Sequence, residues 1–311
     1  MSTTAGSNSF ETYARRRALG FRALLLSALI LVVGACDRAK SSLDDKRDLV
    51  AERKEHRTKL KRTMPSPQEF EQITLAAPVR AITYPSGDLQ LKAWISAAPT
   101  DGQKYPAVVF CHGGFAFGDA DWTEDAARYA EAGFVVMAPT WRGENGNPGG
   151  FELFFGEVDD ALAAGRFLAQ QQGVDAQRVF VAGHSAGATI ALLSAMVDGP
   201  FAAAAPIGAP LDMHKMVDDP DWTPVIVFDA KDEREIELRS PLFFASSLRV
   251  PTMLLIGDQD PSAGDHQTFR QLAESFQKTC TVEVIPGDHM SSKPAAIQKS
   301  IEFFKSVEAK R

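Results

Sequence analysis

Two alternating runs, VRAITY and LQLKAWIS, flank the turn residues PSGD and predict a β-hairpin from about Pro78 onward. Beyond the hairpin, nearly unbroken apolar runs take turns with helical stretches: YPAVVFCH precedes DWTEDAARYAEAG, FVVMAPTW precedes GEVDDALAAGRFLAQQQG, and RVFVAG precedes SAGATIALLSAMV. FAAAAPIG, VPTMLLIG and CTVEVIPG continue the series, with helices predicted at about 265–278 and 293–308. A strand reads as an unbroken apolar run when helices cover both faces of its sheet. The pattern therefore predicts an α/β fold: a mostly parallel central sheet, helices on both faces and an antiparallel hairpin at its start. There is no internal repeat.

The pattern differs before residue 78. RRRALGFR runs into ALLLSALILVVGAC, a basic segment followed by an apolar one that is shorter than the roughly 20 residues a membrane span needs. This is the layout of a secretory signal, and VVGAC is similar to the bacterial lipobox, in which a small pair precedes a cysteine that is lipidated. Residues 1–35 are expected to be a lipoprotein signal peptide and Cys36 the lipid site, which would hold an exported domain on the membrane of a bacterial cell envelope. Residues 36–77 are dense in charge and poor in large apolar side chains, and are expected to be a solvated tether with a short helix after Ser42. Residues 78–311 form the catalytic-size domain. Its connection over 210–249 is longer than ordinary loops and carries Met213, Met216, Trp222, Phe228, Phe243 and Phe244. It is either a partial cap over a cleft or a segment whose aromatics pack down on the domain.

Composition changes this picture little. With 311 residues, 45% of them hydrophobic, the chain can bury a large core, and a net charge of −7 gives no reason to expect a nucleic-acid partner. Histidines and cysteines are scattered without ligand spacing, so neither a metal site nor a cofactor is expected. Cys111 and Cys280 read as two buried free thiols. GENGNPGG lacks the lysine of a phosphate-binding loop and reads as a mobile turn near the cleft.

The chemistry sits where an apolar run meets a helix-forming one. VFVAGHSAGATIALL places Ser185 in a G-x-S-x-G pattern, with a strand leading in and a helix leading out. Gly183 and Gly187 leave room for a tight turn that holds the serine in a strained backbone with its hydroxyl exposed. A serine hydroxyl is a weak nucleophile at neutral pH and needs a base within hydrogen-bond reach and an acid to orient that base. Of the histidines after Ser185, His289 ends the last strand-like run in VEVIPGDHM, whereas His214 and His266 read as surface residues. The acid is Asp260 in LLIGDQDPSAG, with Asp258 as the alternative, and Asp265 reads as a helix N-cap. The glycines of CHGGFAFG let main chain approach a ligand, so Gly114 or Phe115 would donate to a developing oxyanion together with Ala186.

Through HGGF, APTWRGENGNPGGFELFFGEVDDALAAGRFL, VFVAGHSAGATIALL, LRSPLFFASSLRVPTMLLIGDQD and IPGDHM, residues 78–311 resemble the α/β-hydrolase fold. The likeness is greatest to the catalytic domain of prolyl oligopeptidase-type serine peptidases and to the related dienelactone hydrolase and acyl-esterase group. That resemblance implies a serine hydrolase working through an acyl-enzyme. The segment before residue 78 is too short for the β-propeller of the full peptidases, and a serine stands where dienelactone hydrolases commonly have cysteine. A small carboxylic ester is the expected substrate, with short peptides as the alternative and a non-catalytic binding lipoprotein as the third possibility.

Overall fold

The computed structural model of the chain describes residues 43–308, so the signal-like run, Cys36 and the start of the expected tether lie outside the described residues. An eight-stranded mixed sheet runs in the order β1-β2-β4-β3-β5-β6-β7-β8. β1 (Arg80–Ser86) and β2 (Leu89–Ile95) form the expected hairpin, and β2 also pairs antiparallel with β4 (Val135–Pro139). All other neighbours are parallel: β3 (Tyr105–Cys111), β5 (Val174–His184), β6 (Ala204–Ile207), β7 (Thr252–Gly257) and β8 (Cys280–Ile285). The α/β architecture expected from the apolar pattern, a mostly parallel sheet with an antiparallel hairpin at its start, is the one observed.

The helices are α1 (Leu49–Glu55), α2 (Ala127–Glu131), α3 (Gly156–Ala169), α4 (Ala186–Ser194), α5 (Met213–Val217), α6 (Glu233–Glu237), α7 (Ala263–Ser275) and α8 (Lys293–Glu308). A π-helical turn, Asp121–Ala126, leads into α2. Side chains alternate across a strand. Val108, Phe110, Val136, Ala138, Phe180 and Ala182 accordingly share one core with Tyr129 of α2 and Ile297, Ile301 and Phe304 of α8. Phe180 stacks on Phe304 with ring centroids 4.7 Å apart. α4 is buried along its whole length, which explains why it is apolar all round and lacks a polar stripe.

One expectation outside the sheet needs correction. The charged stretch expected to be a tether is docked on the domain from Arg47 onward. Asp48 caps α1, Leu49 is fully buried, and Arg47 lies over Phe244 and pairs with Glu52 and Glu237. Glu235, wholly buried, accepts from Lys59 N, Thr58 and Arg239 and pairs with His56, while Leu60 makes a β-bridge to Phe228. The stretch from His56 to Lys59 looks solvated in sequence because its partner, Glu235, lies about 180 residues away. In the connection over 210–249, Met213, Met216, Phe228, Phe243 and Phe244 are buried against the domain, and Trp222 is half-buried. Of the thiols, both free, Cys111 is buried and Cys280 only half-buried.

Candidate active site

The carboxyl ends of β3, β5, β7 and β8 lie along one edge of the sheet, where an open parallel sheet forms its crevice. At the end of β5, Ser185 has φ 54° and ψ −120°, a backbone that costs a non-glycine residue on the order of 1–3 kcal/mol. Ser185 N–H donates to Ile207 O at 2.9 Å, and its carbonyl accepts from Ala188 N–H at 3.0 Å. The flanking glycines are required by contact. A Cβ on Gly187 would overlap the carbonyl oxygens of Cys111 and His112, and one on Gly183 would stand 2.5 Å from Gly187 O. Ala186 opens α4, where the first amides have no intrahelical acceptor.

β7 ends at Gly257 and the following loop delivers Asp260, whose Oδ2 lies 2.6 Å from His289 Nδ1. Its other oxygen accepts from Ser262 N–H at 2.9 Å and Ser262 Oγ at 2.7 Å. Burial works against the charged carboxylate, but the bonds from His289 and Ser262 outweigh it and hold the group at about 2. Asp260 is therefore ionised, the Nδ1 proton is committed to it, and Nε2 is left to exchange protons. His289 rests over Gly208 (φ 63°), where a Cβ would come within 3.1 Å of His289 Cε1. Asp258, the alternative acid, instead accepts from Gly287 N–H at 2.8 Å and holds the turn before His289. Among the described residues no hydrogen bond joins the Ser185 hydroxyl to His289; in free hydrolases that bond often closes only around substrate.

The remaining histidines near the site have other partners. His184 is buried, its ring centroid 4.9 Å from that of His289, and its Nε2 lies 3.1 Å from His289 O. Burial first, and the neighbouring His289 second, push it down to about 3, so it is a neutral brace for the His289 turn. His266 is buried, not superficial, and lies against Ser262 O; His214 is held between Asp212 and Glu233. Ser262, not Asp265, occupies the N-cap position of α7, and Asp265 pairs with Lys215.

The HGGF segment after β3 is built from buried polar contacts. His112 Nδ1 lies 3.0 Å from Gly113 O, and Nε2 lies 3.0 Å from Glu144 Oε2. Both acceptors require N–H donors, so the ring is an imidazolium. Burial opposes that charge, but Glu144 overrides it and lifts His112 to about 9. Gly113 C=O and Gly114 N–H share one trans peptide plane and point in opposite directions, so this bond also aims Gly114 N–H. Phe115 N–H already donates to Gln68 Oε1 at 2.9 Å, and Phe115 O accepts from Ser66 Oγ. GENGNPGG is a brace and not a mobile turn. Asn145 accepts from Phe117 N–H and donates to Phe117 O, and Asn147 bonds Lys92 N, Thr140 Oγ1 and Trp141 O. Its glycines supply positive φ while its carboxamides satisfy facing main chain, a signal present in the Glu-Asn-Asn composition. Ser66 and Gln68 carry no comparable signal. An apolar wall completes the site: Phe115 meets Phe151 edge-on at 5.2 Å and half-buried Trp222 at 6.2 Å.

The chain is similar to several known proteins. The family model described as the prolyl oligopeptidase family matches residues 122–305. An uncharacterized peptidase of Bacillus subtilis, YtmA, is 24% identical over 67% of this chain and 81% of its own. Esterase LipI of Mycobacterium tuberculosis is 32% identical over 37% of this chain and 36% of its own. The acylaminoacyl peptidase of Pyrococcus horikoshii superposes with a TM-score of 0.62 at 19% identity, over 73% of this chain and 41% of that one. The chain thus spans about two-fifths of the length of the first solved structures that it matches.

Proposed function

We propose, for a chain that belongs to the prolyl oligopeptidase family and is a serine hydrolase, that it cleaves amide bonds of short peptides through an acyl-enzyme on Ser185. The observation that carries the mechanism is the 2.6 Å Asp260–His289 contact at the sheet edge that also holds Ser185 on its strained turn. Ser185 Oγ attacks the carbonyl carbon while His289 Nε2 takes its proton, and Asp260 stabilises the imidazolium that forms. The oxyanion accepts from Ala186 N–H at the start of α4 and from Gly114 N–H, since Phe115 N–H is already engaged. The intermediate collapses as His289 returns the proton to the departing amine. A water activated by the same imidazole then releases the acid and frees Ser185.

The family description and the peptidase YtmA, matched over most of its length, favour peptides over the ester expected from sequence. Esterase LipI supports a second reading, a carboxylic ester hydrolase. A fluorophosphonate probe should label the wild-type protein and not Ser185→Ala; an unlabelled wild type would remove the enzymatic reading. In a panel of p-nitrophenyl esters against aminoacyl and prolyl anilides, anilide turnover is expected. Turnover of esters alone would select the second reading.

A further inference from the structure

The segment between Thr58 and Phe70 crosses the site without belonging to the sheet. At one end, Lys61 N–H donates to Val227 O, and Arg62 donates to the carbonyls of Thr223, Pro224 and Ile226. In the middle, Phe151 N–H donates to Met64 O at 3.0 Å, and Ser66 N–H to Gly143 O at 2.9 Å. At the other end, Gln68 and Ser66 take both main-chain groups of Phe115, the residue after Gly114. A Cβ on Gly114 would meet Gln68 Oε1 at 2.8 Å, so the carboxamide lies directly on that glycine.

We propose that residues 58–70 are a strap that sets the oxyanion loop, with Gln68 and Ser66 as positioning residues that pin the two peptide planes flanking Phe115. Each peptide group is rigid, so fixing Phe115 N–H fixes the plane carrying Gly114 C=O, and fixing Phe115 C=O fixes the next plane. His112 pins the plane before, the one carrying Gly114 N–H. Three consecutive planes are thereby held around a glycine at φ 67°, a residue that would otherwise sample a wide backbone range. An oxyanion donor stabilises a transition state only when it is already aimed, because reorienting it during reaction consumes the gain. The strap thus acts through Gly114 and touches no reacting atom itself.

This inference rests on the acyl-transfer reading above, and the two fail differently. The test compares full-length wild type with Gln68→Ala, Ser66→Ala and Ser66→Thr. It measures kcat and KM on the best substrate of the panel, and Ki for a peptidyl trifluoromethyl ketone and for the matching methyl ketone. The trifluoromethyl ketone forms an oxyanion on Ser185; the methyl ketone reports ground-state binding. The expected result is at least a ten-fold loss of kcat in both alanine variants with KM within two-fold. Trifluoromethyl ketone affinity should fall in parallel, methyl ketone affinity should stay unchanged, and Ser66→Thr, which keeps the hydroxyl, should recover activity. Wild-type kinetics in both alanine variants would overturn the proposal, as would equal losses for the two ketones. A gain of activity in Gln68→Ala would also overturn it, by making the carboxamide a competitor for the donor. A wild type inert to fluorophosphonate and to every substrate would instead defeat the underlying hydrolase reading.

Discussion

Replacing Glu144 by Gln isolates the charge that holds the HGGF loop, the proposed carrier of an oxyanion donor. His112 and Glu144 are 3.0 Å apart with side chains 0% and 1% exposed, and the substitution preserves shape while removing the negative charge. His112 stands at about 9 against an ordinary 6.5. The folded protein therefore holds this proton more tightly than the unfolded chain. The resulting stabilisation is complete below pH 6.5 and disappears as pH rises through 9. At 1.36 kcal/mol per pH unit the displacement is worth roughly 3 kcal/mol. Without Glu144, burial leaves His112 neutral, and a neutral ring can donate to Gly113 O or to residue 144 but not to both. Urea unfolding followed by tryptophan fluorescence at about pH 6 and pH 10 should show Glu144→Gln less stable by on the order of 3 kcal/mol at the lower pH, and nearly equal to wild type at the higher. The loosened Gly113–Gly114 plane should also lower kcat about ten-fold at pH 7, less than the roughly 10²–10³-fold lost when an oxyanion donor is removed outright, because the donor is misaimed and not deleted. Equal midpoints at pH 6, or a gap that does not close with rising pH, would refute the account of the pair.

Asp260→Asn should lower kcat by about 10³–10⁴-fold, because an amide no longer selects the Nδ1–H tautomer of His289. The same variant should lose the acid-range dependence that comes from a carboxyl held at about 2 against 3.8: that stabilisation, about 2 kcal/mol, is present above pH 3.8 and lost as pH falls through 2, so urea midpoints between pH 4 and 2 should flatten. Gly208→Ala introduces a methyl 3.1 Å from His289 Cε1 at φ 63°, and steady-state kinetics should show a kcat loss larger than the ~1 kcal/mol stability cost explains. For the expected lipid site, Cys36→Ser or globomycin should leave an unprocessed precursor without incorporated palmitate; unchanged processing would argue for an ordinary signal or anchor.

How legible the molecule was depended on the range of the interactions involved. Unbroken apolar runs report strands covered on both faces, so the parallel sheet, the opening hairpin and α8 at its observed bounds follow from residues close in sequence. The turn at Ser185 is equally local: two glycines are needed where β5, α4 and the end of β3 touch. The acid and histidine candidates were read as residues of strand-end loops, and the contact between Asp260 and His289, 29 positions apart, needed only the order of strands. Other contacts had no local signature. Glu235 and the segment from His56 to Lys59 look like solvated charge until the fold brings them together across 176 or more residues. GENGNPGG looks like a loose turn because Gly and Asn favour turns, while the partners that make it a brace, Phe117 and His112, lie about 30 residues away on another strand end.

By itself the sequence determined the strands, the helices that cover the sheet and the strained turn at Ser185, since each depends on periodicity or on steric room within a few residues. Only the tertiary structure decided which amides of the HGGF loop are already engaged and which distant residues hold them. Hydrogen-bond satisfaction of a buried group depends on whatever the whole fold places beside it, and no local pattern encodes that.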